Sequence, residues 1–137
     1  MKTTVLYRMA AVLLVLFAAG HTAGFRKAQP QWGVGPLLEA MQTTRFNVGS
    51  FGRTYWDFYL GFGYFVTAFL LFAAVLAWQL GGLNKETLAL MPLITWGLAV
   101  CFVVVTALSW KYFFLPPIVF SVVLTVVLIL AAWVAGR

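Results

Sequence analysis

Three long stretches of this chain contain no Asp, Glu, Lys or Arg: Phe58 to Asn84, Thr87 to Trp110 and Tyr112 to Gly136. A fourth apolar stretch, centred on Met9 to Gly20, precedes them. A helix needs about 20 predominantly apolar residues to cross the hydrocarbon of a bilayer. Lipid offers the backbone no hydrogen bonds, so a spanning segment must satisfy its own, as a helix does. The pattern predicts spans over about residues 5–23, 56–80, 87–109 and 117–135. The expected fold class is all-α: a four-helix transmembrane bundle forming one integral membrane domain over residues 1–137, with a short interfacial amphipathic helix in the first loop.

Composition agrees. Of 137 residues, 64% are hydrophobic and 9% charged, against roughly a quarter charged in a soluble domain. Once the spans are subtracted, no length remains for a second soluble domain. The net charge of +6 comes from basic residues scattered at the ends of apolar runs. That placement suits anionic lipid headgroups and argues against a nucleic-acid partner, which requires a clustered basic surface. Cys101 is the single cysteine, so an intrachain disulfide is excluded, and its apolar surroundings mark it as a packing residue.

Punctuation divides the runs. Lys111 and Pro116-Pro117 separate the last two, because proline lacks an N–H and suits only the first turn of a helix. A tight turn is therefore expected over Ser109 to Leu115. Gly81-Gly82-Leu83-Asn84 closes the second run, and Asn84 or Thr87 is expected to cap the next helix. Pro92 either kinks the third helix or marks its start. In the long loop, residues 24–55, Gly35 to Arg45 reads as a short helix whose Leu37, Leu38 and Met41 share one face. Asn47 to Gly52 carries turn chemistry. Ala18-Ala19-Gly20 resembles a signal-peptide cleavage site, although the preferred reading is an uncleaved first helix.

Alternating spans place the first and third connections on one side, where Arg26, Lys27, Arg45, Arg53 and Lys111 lie. Lys2, Arg8, Lys85 and Arg137 lie on the other. Five basic residues against four do not fix orientation by charge. Lys2 and Arg8 before a signal-like helix favour a cytoplasmic N-terminus. Arg8 is expected to snorkel to the headgroups.

The midplane carries no ionisable residue, which disfavours an ion-coupled pump. Its polar groups are Thr67, Thr95, Thr106, Ser121 and Thr125, which suit close helix contacts and weak interhelical hydrogen bonds. Three candidate catalytic residues lie on the long-loop side: His21 at the end of the first helix, and Arg53 and Asp57 at the start of the second. A histidine transfers protons near neutral pH, a carboxylate orients it, and an arginine holds an anion. The simpler reading, and the favoured one, is a helix-start ion pair between Arg53 and Asp57, with His21 a headgroup-level or capping residue. No metal site or cofactor is expected: one His and one Cys on different helices make no zinc or haem site, and no Gly-rich phosphate loop exists. Ser50 lacks the elbow motif of a serine nucleophile.

Gly20-His21-Thr22-Ala23-Gly24, together with Gly52-Arg53-Thr54-Tyr55-Trp56-Asp57-Phe58-Tyr59-Leu60-Gly61, resembles a group of small bacterial four-helix integral membrane proteins. The shared pattern is Gly-His-Thr-x-Gly followed by Arg-x-x-x-Asp-Phe-x-x-Gly. The resemblance covers the first half of the chain. It implies a bacterial inner-membrane location and places His21, Arg53 and Asp57 in one signature, but it implies no activity.

Two classes of function remain. The leading one is a non-catalytic membrane protein, either an accessory subunit of a larger complex or homo-oligomer, or a binder of lipid or another apolar small molecule. The alternative is an enzyme acting on a lipid-soluble substrate through His21, Asp57 and Arg53. A hydrophobic-solute transporter ranks third.

Overall fold

A computed structural model describes residues 2–27 and 30–137. The helices among the described residues are α1 (Lys2–Gly24), α2 (Gly35–Thr43), α3 (Tyr55–Leu80), α4 (Lys85–Ala89), α5 (Pro92–Tyr112) and α6 (Leu115–Ala135), with a 3-10 turn at Pro30–Trp32. Strands β1 (Arg45–Val48) and β2 (Phe51–Thr54) form an antiparallel hairpin. Helices α1, α3, α5 and α6 are each long and apolar enough to cross a membrane. The fold is all-α, a four-helix bundle, and the protein is a multi-pass membrane protein.

The chain divides into two compact units, residues 1–17 with 70–137, and residues 18–69. Helices α1 and α3 contribute residues to both. In the first unit all four long helices meet around an apolar core. Buried positions recur at helical spacing: Tyr7, Ala10, Ala11 and Leu14 on α1, and Leu70, Ala73, Ala74, Ala77 and Leu80 on α3. Phe102 on α5 and Leu124, Leu128, Ala131 and Ala135 on α6 complete it. The alanines let backbones approach closely, which matters in lipid because burial there gains little from the hydrophobic effect. Large side chains such as Val100, Val104, Val126 and Phe72 point outwards instead. The Phe17 and Phe120 rings stack at 5.2 Å. The hydroxyls of Thr106 and Thr125 lie 2.9 Å apart and tie α5 to α6.

The helix boundaries refine the sequence expectations. Pro92 marks a true start: α4 ends at Ala89, and Pro92 occupies the first turn of α5. Asn84 caps α4, its Oδ1 accepting from the Thr87 amide at 2.8 Å. Helix α5 continues to Tyr112, so the turn expected from Ser109 shrinks to the extended residues Phe113 and Phe114. Nothing in Ser109 to Tyr112 breaks a helix, and the Phe113 amide still reaches the Ser109 carbonyl at 3.0 Å. Arg8 does not simply extend to solvent. Its guanidinium lies 3.4 Å over the Trp78 ring, beside Gly81, where a side chain would crowd it. That puts a cation at the negative end of α3.

In the second unit the long loop holds more order than turn chemistry alone suggests. Strands β1 and β2 pair Val48 with Phe51 across a two-residue turn, Gly49-Ser50. Gly49 has φ +59, the left-handed value that a type II′ hairpin turn asks of its first central residue. A lone two-stranded hairpin is marginal in water. Here Phe46 anchors it, stacking on Phe58 at 5.9 Å and contacting Tyr55 at 4.9 Å. Helix α2 forms where expected, with Pro36 in its first turn and none of its residues buried. Of its apolar face, Leu37 is exposed, and Leu38 and Met41 are partly covered.

Candidate functional site

His21, Arg53 and Asp57 all fall in the second unit, but they assemble as two separate constellations.

The first joins α1 to α3. His21 Nε2 lies 3.0 Å from the Gly63 carbonyl oxygen. A carbonyl only accepts, so Nε2 carries the proton in this bond. One turn further along α3, the Thr67 hydroxyl also reaches the Gly63 oxygen, at 3.2 Å. Thr67 meets Thr22 at 2.9 Å, and Thr22 reaches the Ala18 carbonyl at 2.7 Å. Two hydroxyl protons serve these three contacts, so at any moment one of the three is without a donated proton. Glycine at position 63 makes room for the Phe25 ring, which a side chain there would have to displace. Phe25 in turn stacks on His21 at 5.0 Å and meets the edges of Tyr59 and Tyr64. The Tyr59 hydroxyl donates to the Phe25 carbonyl at 2.8 Å. Arg26 Nε donates to the Thr22 carbonyl at 3.2 Å, capping the end of α1. The Gly-His-Thr sequence is thus a clasp: histidine and threonine each reach the same turn of α3.

The second constellation starts α3. Thr54 and Asp57 form a reciprocal capping box. The Thr54 amide donates to Asp57 Oδ2 at 2.8 Å, and the Asp57 amide donates to Thr54 Oγ1 at 3.2 Å. The expected ion pair between Arg53 and Asp57 is not formed among the described residues. Arg53 Nη1 instead donates to the Gly52 carbonyl at 2.8 Å, and its guanidinium lies 5.3 Å from the centre of the Phe51 ring. Strand geometry explains this: residues 51 and 53 share one face of β2, which aims Arg53 along the hairpin rather than down the helix. Thr-x-x-Asp before an apolar run is the sequence signal for the box. Gly-Ser between two short strands is the signal for the hairpin.

His21 meets neither Arg53 nor Asp57 among the described contacts. Gly63, its partner, lies about 120° around α3 from Asp57 and roughly 9 Å along it. Arg53 and Asp57 do share a surface cleft of about 230 Å³, continued by Phe58, Gly61, Phe62 and Phe65. Asp57, Gly61 and Phe65 follow one another at helical spacing, as do Phe58 and Phe62, so the cleft runs along α3. Its mouth is charged and its length is apolar. No group of three or more His, Cys, Asp or Glu side chains among the described residues is arranged to hold a metal.

No protein-family model, curated protein or solved structure matches the chain.

Proposed function

We propose that this is a non-catalytic membrane protein that holds one lipid or similar amphiphile at the face where α1 ends and α3 begins, alone or as the accessory subunit of a larger membrane complex. The observation that carries this reading is the cleft itself. Two charged side chains stand at one end, and Gly61, Phe62 and Phe65 follow along the helix. A polar head joined to an apolar tail has that shape. Phe62 and Phe65 are 65% and 72% exposed, so an acyl chain has apolar surface to cover.

The clasp supports the non-catalytic side of the reading. In the clasp His21 has a fastening task, its Nε2 proton donated to the Gly63 carbonyl and its ring stacked on Phe25. Helix α2, with Leu37 exposed, fits a role at the same membrane surface as a further contact for lipid or partner.

Gly61→Leu tests the proposal. A Cβ added at Gly61 has open space around it, so leucine can extend into the cleft from an undisturbed helix. Protein extracted with its native lipids and examined by native mass spectrometry is expected to lose a bound amphiphile in this variant, with unchanged thermal stability. Equal retention of the same lipids by both proteins refutes the proposal.

A further inference from the structure

We infer that the cleft selects a zwitterionic phospholipid bearing a primary amine, with the lipid phosphate at Arg53, the ammonium at Asp57 and one acyl chain along Gly61, Phe62 and Phe65. This rests on the lipid-holding reading and adds the headgroup chemistry.

The two charges stand four residues apart at the same mouth and attract each other electrostatically, yet they form no direct ion pair among the described residues. Asp57 commits Oδ2 to the Thr54 amide, and its Oδ1 has no hydrogen-bond partner among the described residues. Arg53 commits Nη1 to the Gly52 carbonyl, which leaves Nε and Nη2 to donate. Both side chains are held from behind, the carboxylate by the capping box and the guanidinium by Gly52 and the Phe51 ring. Their free atoms are therefore pre-positioned, and little side-chain entropy remains to be lost on binding. One fixed anion and one fixed cation side by side complement a dipolar headgroup.

The same chemistry separates the lipid classes. A phosphate takes charge-assisted hydrogen bonds from a guanidinium. A primary ammonium donates to a carboxylate, whereas a quaternary ammonium has no N–H to donate. A headgroup whose only charge is the phosphate gains Arg53 but must sit beside the Asp57 carboxylate, where like charges repel. Arg45 also lies close enough to act on that carboxylate electrostatically, so a general attraction of anionic lipid to this basic face is the competing outcome.

The test uses the full chain in detergent with an equimolar mixture of phosphatidylethanolamine, phosphatidylcholine and phosphatidylglycerol of identical acyl chains, read by native mass spectrometry. Wild-type protein is expected to retain the ethanolamine lipid about tenfold over each of the others, the weight of one hydrogen bond to a charged group. Asp57→Asn still accepts from the Thr54 amide, and it is expected to hold lipid while losing the preference over phosphatidylcholine. Arg53→Gln is expected to lower retention of all three. Wild-type protein that retains phosphatidylcholine or phosphatidylglycerol as well as the ethanolamine lipid overturns the inference but leaves a lipid site standing. Wild-type protein that retains no more lipid than Gly61→Leu overturns the lipid-holding reading itself.

Discussion

The two compact units of this protein are built on opposite principles. The first, residues 1–17 and 70–137, buries a continuous set of alanine and leucine faces from all four long helices. In the second, residues 18–69, only Ala18 and Thr54 are buried among the described residues. What the second unit lacks in packing it replaces with directed contacts: the His21–Gly63 and Thr22–Thr67 bonds, the capping box and the hairpin anchored by Phe46. Dispersion over many small contacts makes a rigid scaffold. A few specific bonds position a segment while leaving its side chains uncovered, as a surface that receives a ligand requires. The charged residues of the cleft and the exposed phenylalanines beside them both belong to the second unit.

Substitutions in the two units should therefore fail differently. The largest effect is expected from Phe102→Ala, which removes a ring that is 0% exposed in the first unit. It should cost about 3 kcal/mol, towards the lower end for buried aromatics because lipid already solvates an exposed ring. Unfolding followed by denaturing-detergent titration in mixed micelles measures it; a loss below about 1 kcal/mol would deny the first unit a tight core. Gly63→Leu comes next. Its side chain collides with the Phe25 ring, and such overpacking costs about 1–3 kcal/mol. Hydrogen exchange should rise at the end of α1 while amides of α5 and α6 stay protected; a uniform rise would mean that the units do not respond separately. The smallest effect is expected from Thr22→Val, which deletes one interhelical hydrogen bond worth roughly 0.6 kcal/mol in a membrane. A cost several times larger would promote the threonine pair from a supporting contact to the main fastening of the clasp.

Much of this architecture was legible in the chain. Uncharged runs separated by Lys85-Glu86 and Lys111 imply the four spans, and Pro116-Pro117 place the last helix start. The amphipathic Gly35 to Thr43 segment implies α2. The hairpin carried a weaker sign, Gly49-Ser50, because each strand is only four residues long and its apolar residues do not alternate cleanly. The candidate site was legible by residue and not by arrangement. Arg53 and Asp57 have the spacing of a helical ion pair, but that spacing holds only if both residues are helical. Arg53 belongs to a strand, and α3 begins at Tyr55, so the pair opens and each charge takes a backbone partner instead.

Membrane character and the number of spans are written in the amino-acid order alone, since both depend on where charge is absent, and solvation acts on each segment independently of the others. The partners of His21 and Asp57 were settled only by the folded arrangement. His21 faces Gly63 and the Asp57 carboxylate turns back to Thr54. Those choices depend on the rotation of α1 against α3 and on the strand that precedes α3. Neither is a property of local composition, because the His21 bond requires a particular register between segments distant along the chain, and the Asp57 bond requires the helix to begin at one particular residue.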